Sequence, residues 1–315
     1  MDAVAIAAAA VRAGRLVGMP TETVYGLAAD ATNPLAVLAV FAAKGRPSFD
    51  PLIVHLADAG DLEQVAVVTP RARLLATACW PGPLTLVLRR TALIPDVVTA
   101  GLDTVGVRVP DHPLARALIR AAGVPLAAPS ANLFGRTSPT TAEHVREQLG
   151  ASVAAVLDGG PCRVGIESTV LVVDPLPVIL RPGGLTRERL EAILGEPVAV
   201  ADRSARADAL ALPAPGLLAS HYAPLVPLTV REPGVPWPHD PTVGLLAFTG
   251  ADLPPGPFRQ VLSQRGDLSE AAAGLFAALR RLDASGATRL MAELVPETGL
   301  GLGINDRLRR AAGRG

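Results

Sequence analysis

Hydrophobic and polar positions change period repeatedly along the first 200 residues of the chain. Short β-branched runs predict strands: "PLIVHL" (51–56), "LTLVLR" (84–89), "TVGVRV" (104–109) and "STVLVV" (168–173), with "RLVGM", "VPLAA", "AAVLD" and "VILRP" reading the same way. Between them, apolar residues recur three and four apart in "PLAVLAVFAAKG" (34–45), "HPLARALIRAAG" (112–123) and "TTAEHVREQLG" (140–150), which predicts helices. Thr140 with Glu143 reads as a capping box, and Asp111 stands ahead of the helix at 112–123. This alternation predicts an α/β domain built on an open sheet.

From 201 to 240 the period is lost. "ADRSARADALALPAPG" and "REPGVPWPHDP" are rich in proline and charge, as a linker between domains is. A second α/β pattern follows, with "TVGLLAF" and "RLMAELV" as strands and "SEAAAGLFAALRRLDA" and "NDRLRRAA" as helices. The expected organisation is a large domain over 1–200, a linker over 201–240 and a small C-terminal α/β domain over 241–315. So small a second domain is expected to pack on the first.

Strand parity adds a polar face. In "TVGVRV", Thr104, Gly106 and Arg108 oppose three valines; in "PLIVHL", Ile53 and His55 oppose Leu52, Val54 and Leu56. Thr21, Thr23 and Tyr25 share parity if "GMPTETVYGL" is extended, and Ser168 begins a polar break before an apolar run. A buried Arg needs an anion and a buried Thr a partner, so these strands are expected to line a polar cavity in the sheet. Each residue also has a plainer reading. His55 fits a satisfied core position, and Arg108 fits a surface ion pair. Lys44 and Arg46 fit the carboxyl end of a helix dipole, and Ser130 and Asn132 fit turn positions.

Composition narrows the classes. Half the residues are hydrophobic, so the chain reads as well packed. Acids and bases balance at 29 each and only ten residues are aromatic, which disfavours stable nucleic-acid binding by phosphate neutralisation or base stacking. Cys79 and Cys162 are far apart and read as buried free thiols, not a disulfide or zinc site. No apolar run approaches the ~20 residues that span a bilayer, and the Ala-rich start lacks a basic segment, so a cytoplasmic protein is expected. There is no phosphate loop, no G-x-S-x-G elbow and no H-E-x-x-H, and "ETGLGLGIND" lacks dinucleotide spacing.

The order of the pieces carries more than any one of them. "PTETVYGLAADA", "KGRPSFDPLIVHL", "WPGPLTLVL", "AGLDTVGVRVPDHP", "AAPSANLFGRTSPT", "DGG", "GIESTVLVVD" and "LRPGG" resemble the successive signatures of the YrdC-like threonylcarbamoyl-AMP synthase family. "PGLLASHYAP" before a small α/β segment resembles the family's longer, two-domain form. The resemblance implies an open sheet curved around a deep polar cavity. It also implies synthesis of L-threonylcarbamoyladenylate from L-threonine, bicarbonate and ATP, with Mg²⁺ arriving on ATP and no metal held by the protein. The product would pass to a separate transferase that modifies tRNA.

Carried over position by position, the resemblance puts Thr23, His55, Arg108, the Ala128 backbone and Ser168 around threonine. It puts Lys44, Arg46, Asp50, Thr104, Ser130, Asn132, Ser138, Arg181, His221 and Tyr222 on the ATP side. Lys44, Arg46 and Arg108 would carry catalysis. Arg108 suits a bidentate grip on a carboxylate. Asp50 departs from the family's usual Asn, and Ala219 stands where Tyr is usual in the linker. No residue reads as a compelling general base; His55 is a candidate, with ligand orientation the other role open to it. Two rival readings are a domain that adenylates carbamoyl phosphate and an RNA-binding module on the same fold.

Overall fold

A computed structural model of the protein describes residues 2–201, 221–232 and 234–313. The strands of the large sheet are β1 (Val17–Met19), β2 (Gly26–Asp30), β3 (Ile53–His55), β4 (Leu84–Arg89), β5 (Thr104–Arg108), β6 (Leu126–Ala127), β7 (Ala155–Val156), β8 (Thr169–Val172), β9 (Val178–Arg181) and β10 (Ala199–Val200). They pair in the order β10-β9-β8-β4-β5-β3-β6-β2-β1-β7, with parallel and antiparallel neighbours mixed. A second, wholly parallel sheet runs β11-β14-β12-β13, from β11 (Leu228–Arg231), β12 (Val243–Ala247), β13 (Arg259–Val261) and β14 (Arg289–Glu293). The helices are α1 (Ala3–Arg12), α2 (Pro34–Lys44), α3 (Leu62–Val65), α4 (Pro70–Cys79), α5 (Asp96–Thr99), α6 (Pro113–Ala122), α7 (Ala142–Leu149), α8 (Arg187–Leu194), α9 (Leu268–Asp283) and α10 (Gly301–Ala312).

Local chemistry delimits the helix that matters most for the site. Asn33 caps α2 by accepting from the Leu35 and Ala36 amides, and Pro34 occupies the first turn, where its missing N–H costs nothing. Gly45 ends the helix at φ +59°, a left-handed conformation that glycine adopts without a Cβ clash. That sharp stop delivers Lys44 and Arg46 at the helix exit.

Parity then sorts the sheet's two faces. Ile53 pairs with Gly106, Val54 with Val107 and His55 with Arg108 across parallel strands β3 and β5. Val54, Val105 and Val107 enter the main core with Leu84, Leu86 and Leu88 of β4. Ile53, His55 and Arg108 are therefore left together on the other face, which is polar.

The small sheet is fastened to the large one by a shared apolar cluster in which Val24 and Ile166 pack with Leu275, Phe276 and Ile304. The approach is close enough to exclude side chains at two glycines. A Cβ on Gly165 would stand 2.4 Å from the Ala272 carbonyl oxygen of α9, and one on Gly303 of α10 would meet Ile166 at 2.9 Å.

Several local expectations change. The cap of α7 is Thr141, accepting from the His144 amide, and not Thr140. The residue before α6 is His112, which makes no side-chain cap bond; Asp111 pairs with Arg163 instead. Residues 21–25 are not extended, because Thr21 folds the chain on itself by donating to the Val24 carbonyl at 2.6 Å and accepting from the amides of Thr23 and Val24. Within the stretch read as linker, Leu228–Arg231 forms β11 and pairs with β14; residues 202–220, Ala219 among them, lie outside the described residues. Cys162 is buried and Cys79 half-buried, both as free thiols.

Candidate functional site

A cavity opens on the polar face of β3 and β5 and encloses, with its mouth, about 540 Å³ of atom-free space. Its wall is made by the turn at 21–26, Arg46, strands β3 and β5, the loop after β6, Glu167 with Ser168, and Arg181, closed off by His221 and Tyr222.

Arg108 is the hub of one end. Its Nη2 lies 2.6 Å from Glu22 Oε1, its Nη1 donates to Thr23 Oγ1 at 2.9 Å and its Nε donates to the Gly82 carbonyl at 3.2 Å. Both members of the ion pair are almost wholly buried, with side chains 4% and 0% exposed. The surface-pair reading of Arg108 is thereby excluded. His55, its neighbour in register, is buried, and its carbonyl partner sits at Nδ1, 3.2 Å from Ile53 O. Burial and the Arg108 charge push its pKa down to about 3, so the ring is neutral at pH 7. Ser168 closes this end: its Oγ bonds Thr85 Oγ1 at 2.8 Å, and Arg181 donates through Nε and Nη2 to its carbonyl.

Further cations surround the same cavity. Arg46 lines the cavity and is held by the Asp50 carboxylate at 2.8 Å and by the carbonyls of Asp50 and Pro51. Burial lowers the pKa of Arg46 and of Arg181, as expected for guanidiniums out of water. Lys44 stands just behind the wall, donating at 2.5 Å to the Ser130 and Asn132 carbonyls, and burial holds its pKa well below the usual lysine range. Lys44 bonds to the 130–132 loop and Arg46 to residues 50 and 51, not back onto α2, so neither is a simple helix-end complement.

Tyr222 adopts φ +67°, a strained conformation for a non-glycine residue of the kind that gathers at ligand clamps. It packs on Phe276 of α9 and holds His221 edge-on against its ring at 4.2 Å. Burial, and the charges of Arg46, Lys44, Arg310 and Arg181, keep His221 neutral.

Of the residues predicted from sequence, Thr23, Arg46, His55, Arg108, Ala128, Ser130, Ser168, Arg181, His221 and Tyr222 all line this one cavity. Lys44, Asp50, Asn132 and Ser138 do not line it and stand one layer back. Asp50 faces Arg46, the Asn132 amide donates to the Leu133 and Arg136 carbonyls, and Ser138 donates to Glu167 Oε1 at 2.5 Å. Thr104 is absent from the wall too. It pairs with Arg89 at the start of β5, four residues and roughly 13 Å of strand before Arg108. Tyr25 also points elsewhere, its hydroxyl donating to the Gly160 carbonyl.

Sequence reasoning missed Glu22, Glu167 and Arg307. The need of a buried Arg108 for an anion was the available signal for Glu22. Nothing local pointed from Glu167 to Arg307, 140 residues on. Among the described residues no cluster of three or more His, Cys, Asp or Glu is arranged to hold a metal ion, and no helix is long and apolar enough to cross a membrane.

A Sua5/YciO/YrdC family model, described as "Telomere recombination", matches residues 9–183, and one described as "Threonylcarbamoyl-AMP synthase, C-terminal domain" matches residues 185–313. A Bacillus subtilis threonylcarbamoyl-AMP synthase is 46% identical over 98% of this chain and 93% of its own, and the Pyrococcus abyssi protein of that name is 41% identical with the same coverage. The crystal structure of P. abyssi Sua5 complexed with L-threonine superposes with a TM-score of 0.90 at 40% identity, covering 98% of this chain and 94% of that one.

Proposed function

The chain belongs to the Sua5/YciO/YrdC family, and from that premise we propose how its cavity makes L-threonylcarbamoyladenylate from L-threonine, bicarbonate and ATP. One observation supports the reading most. A guanidinium, a neutral imidazole and two small hydroxyls share one cavity wall with two further guanidiniums, Arg46 and Arg181.

In this reading Arg108 takes the threonine carboxylate, displacing part of its contact with Glu22. Thr23, His55 and Ser168 orient the hydroxyl and the amine. His55, neutral with Nδ1 turned to the Ile53 carbonyl, presents Nε2 as an acceptor. The amine condenses with bicarbonate, losing water, to give a carbamate. A carbamate oxygen then forms a bond to the α-phosphorus of ATP while the bond to the bridging oxygen breaks, and pyrophosphate leaves. Arg46 and Arg181 neutralise the phosphates, with Lys44 stiffening the 130–132 loop between them. Mg²⁺ enters as the counterion of ATP: Asp50 already faces Arg46, Glu22 faces Arg108 and Glu167 faces Arg307. The walls exclude water that would hydrolyse the carbamate and the mixed anhydride. The product suits a downstream transferase acting on tRNA.

Mass spectrometry of a mixture with ATP, Mg²⁺, bicarbonate and isotopically labelled threonine tests this. A labelled adenylate is expected. Its absence, or an adenylate formed only when carbamoyl phosphate replaces threonine and bicarbonate, refutes the assignment.

A further inference from the structure

Glu167 is the one carboxylate among the described residues that line the cavity, and it shares the wall with Arg46 and Arg181. A negative charge in that place opposes a polyphosphate unless something offsets it. The offset comes from the other sheet. Arg307 of α10, fully buried, donates through Nε to Glu167 Oε2 at 2.8 Å from behind the wall, which it does not itself line. Ser138 holds the other carboxylate oxygen. Arg307 is in turn fixed from several sides. Its Nη1 donates to the Pro182 and Gly303 carbonyls and to Asp306, and its guanidinium lies 5.4 Å over the Tyr222 ring.

We infer that Arg307 is a positioning residue for the nucleotide: by neutralising and aiming Glu167 from behind, it lets α10 set the charge of a cavity that α10 does not line. Without Arg307, the buried carboxylate turns to its remaining cationic neighbours, of which Arg181 is one. The positive charge that should meet phosphate is then spent inside the protein. The inference rests on the adenylate-forming reading above and extends it to a residue that touches no substrate.

Calorimetric titration with Mg²⁺–ATP, and separately with L-threonine, tests it on the full chain. Arg307→Met should weaken ATP binding by about tenfold or more while the threonine affinity stays within about twofold. Glu167→Gln added to Arg307→Met should return the ATP affinity to within about threefold of the unmodified protein, because no uncompensated carboxylate remains. A purely structural role for Arg307, in docking α10, would not be rescued this way. ATP binding unaffected by Arg307→Met, equal loss of both ligands, or a double variant as weak as the single overturns the inference. Should Arg307→Met fail to fold, Glu167→Gln alone decides. It should bind ATP at least as tightly as the unmodified protein, and a tenfold loss overturns the inference. An unmodified protein that binds no ATP takes down the adenylate reading itself, and this inference with it.

Discussion

Replacing Arg108 by Leu removes the group proposed to grip threonine, and it also strands Glu22, whose side chain is fully buried with Arg108 as its cationic partner. The guanidinium contributes the 2.6 Å ion pair and the bonds to Thr23 and Gly82. Breaking a buried pair by deleting one member costs about 3–5 kcal/mol, because the remaining charge has neither water nor a counter-ion. Against a total stability of order 5–15 kcal/mol, that is a large fraction. Glu22→Gln on the same background removes the stranded charge, so urea unfolding should recover about 2–3 kcal/mol of the loss. Activity should not recover. Neither variant carries a guanidinium for the threonine carboxylate, so threonine-dependent pyrophosphate release should be lost in both. A double variant no more stable than Arg108→Leu would refute the account of the ion pair. Turnover retained in either variant at ordinary threonine concentrations would refute the role of Arg108 in binding.

Two further changes probe other parts of the site. Arg46→Ala should raise the KM for ATP by about ten- to a hundredfold with little effect on threonine affinity, since Arg46 lines the cavity and is proposed to meet the phosphates; an unchanged KM for ATP would return Arg46 to a purely structural pairing with Asp50. The neutral His55 makes stability fall in acid. Its folded pKa, about 3, lies below the ordinary 6.5, so the unfolded chain takes up the proton first as pH drops through 6.5, and the loss continues down to about 3. At pH 5 the loss relative to pH 7.5 is about 2 kcal/mol from this residue. His55→Gln should show a correspondingly smaller drop in urea midpoint between those pH values, and an identical drop would contradict the depressed pKa.

Much of the site could be read along the chain because it depends on short-range periods. The two-residue alternation of strands placed Ile53 and His55 on one face and Arg108 on the same side of its own strand, and the register between β3 and β5 joined them. Proline and glycine at the ends of α2 set where Lys44 and Arg46 emerge. The alternation and the helix ends are properties of neighbouring residues, and sequence by itself determines them; the β3–β5 register, across some fifty residues, is not. Tertiary structure alone decided which polar groups meet. Parity put Thr104 on the same face as Arg108 but could not say that the cavity ends before it. Both Lys44 and Arg46 leave one helix end, yet only Arg46 reaches the wall. Arg108 finds Thr23 across 85 residues and Glu167 finds Arg307 across 140. The first pairing follows from how a turn folds over its own sheet and the second from how two sheets dock, and the energy that selects both, the cost of burying a charge without a partner, has no local signature along the chain.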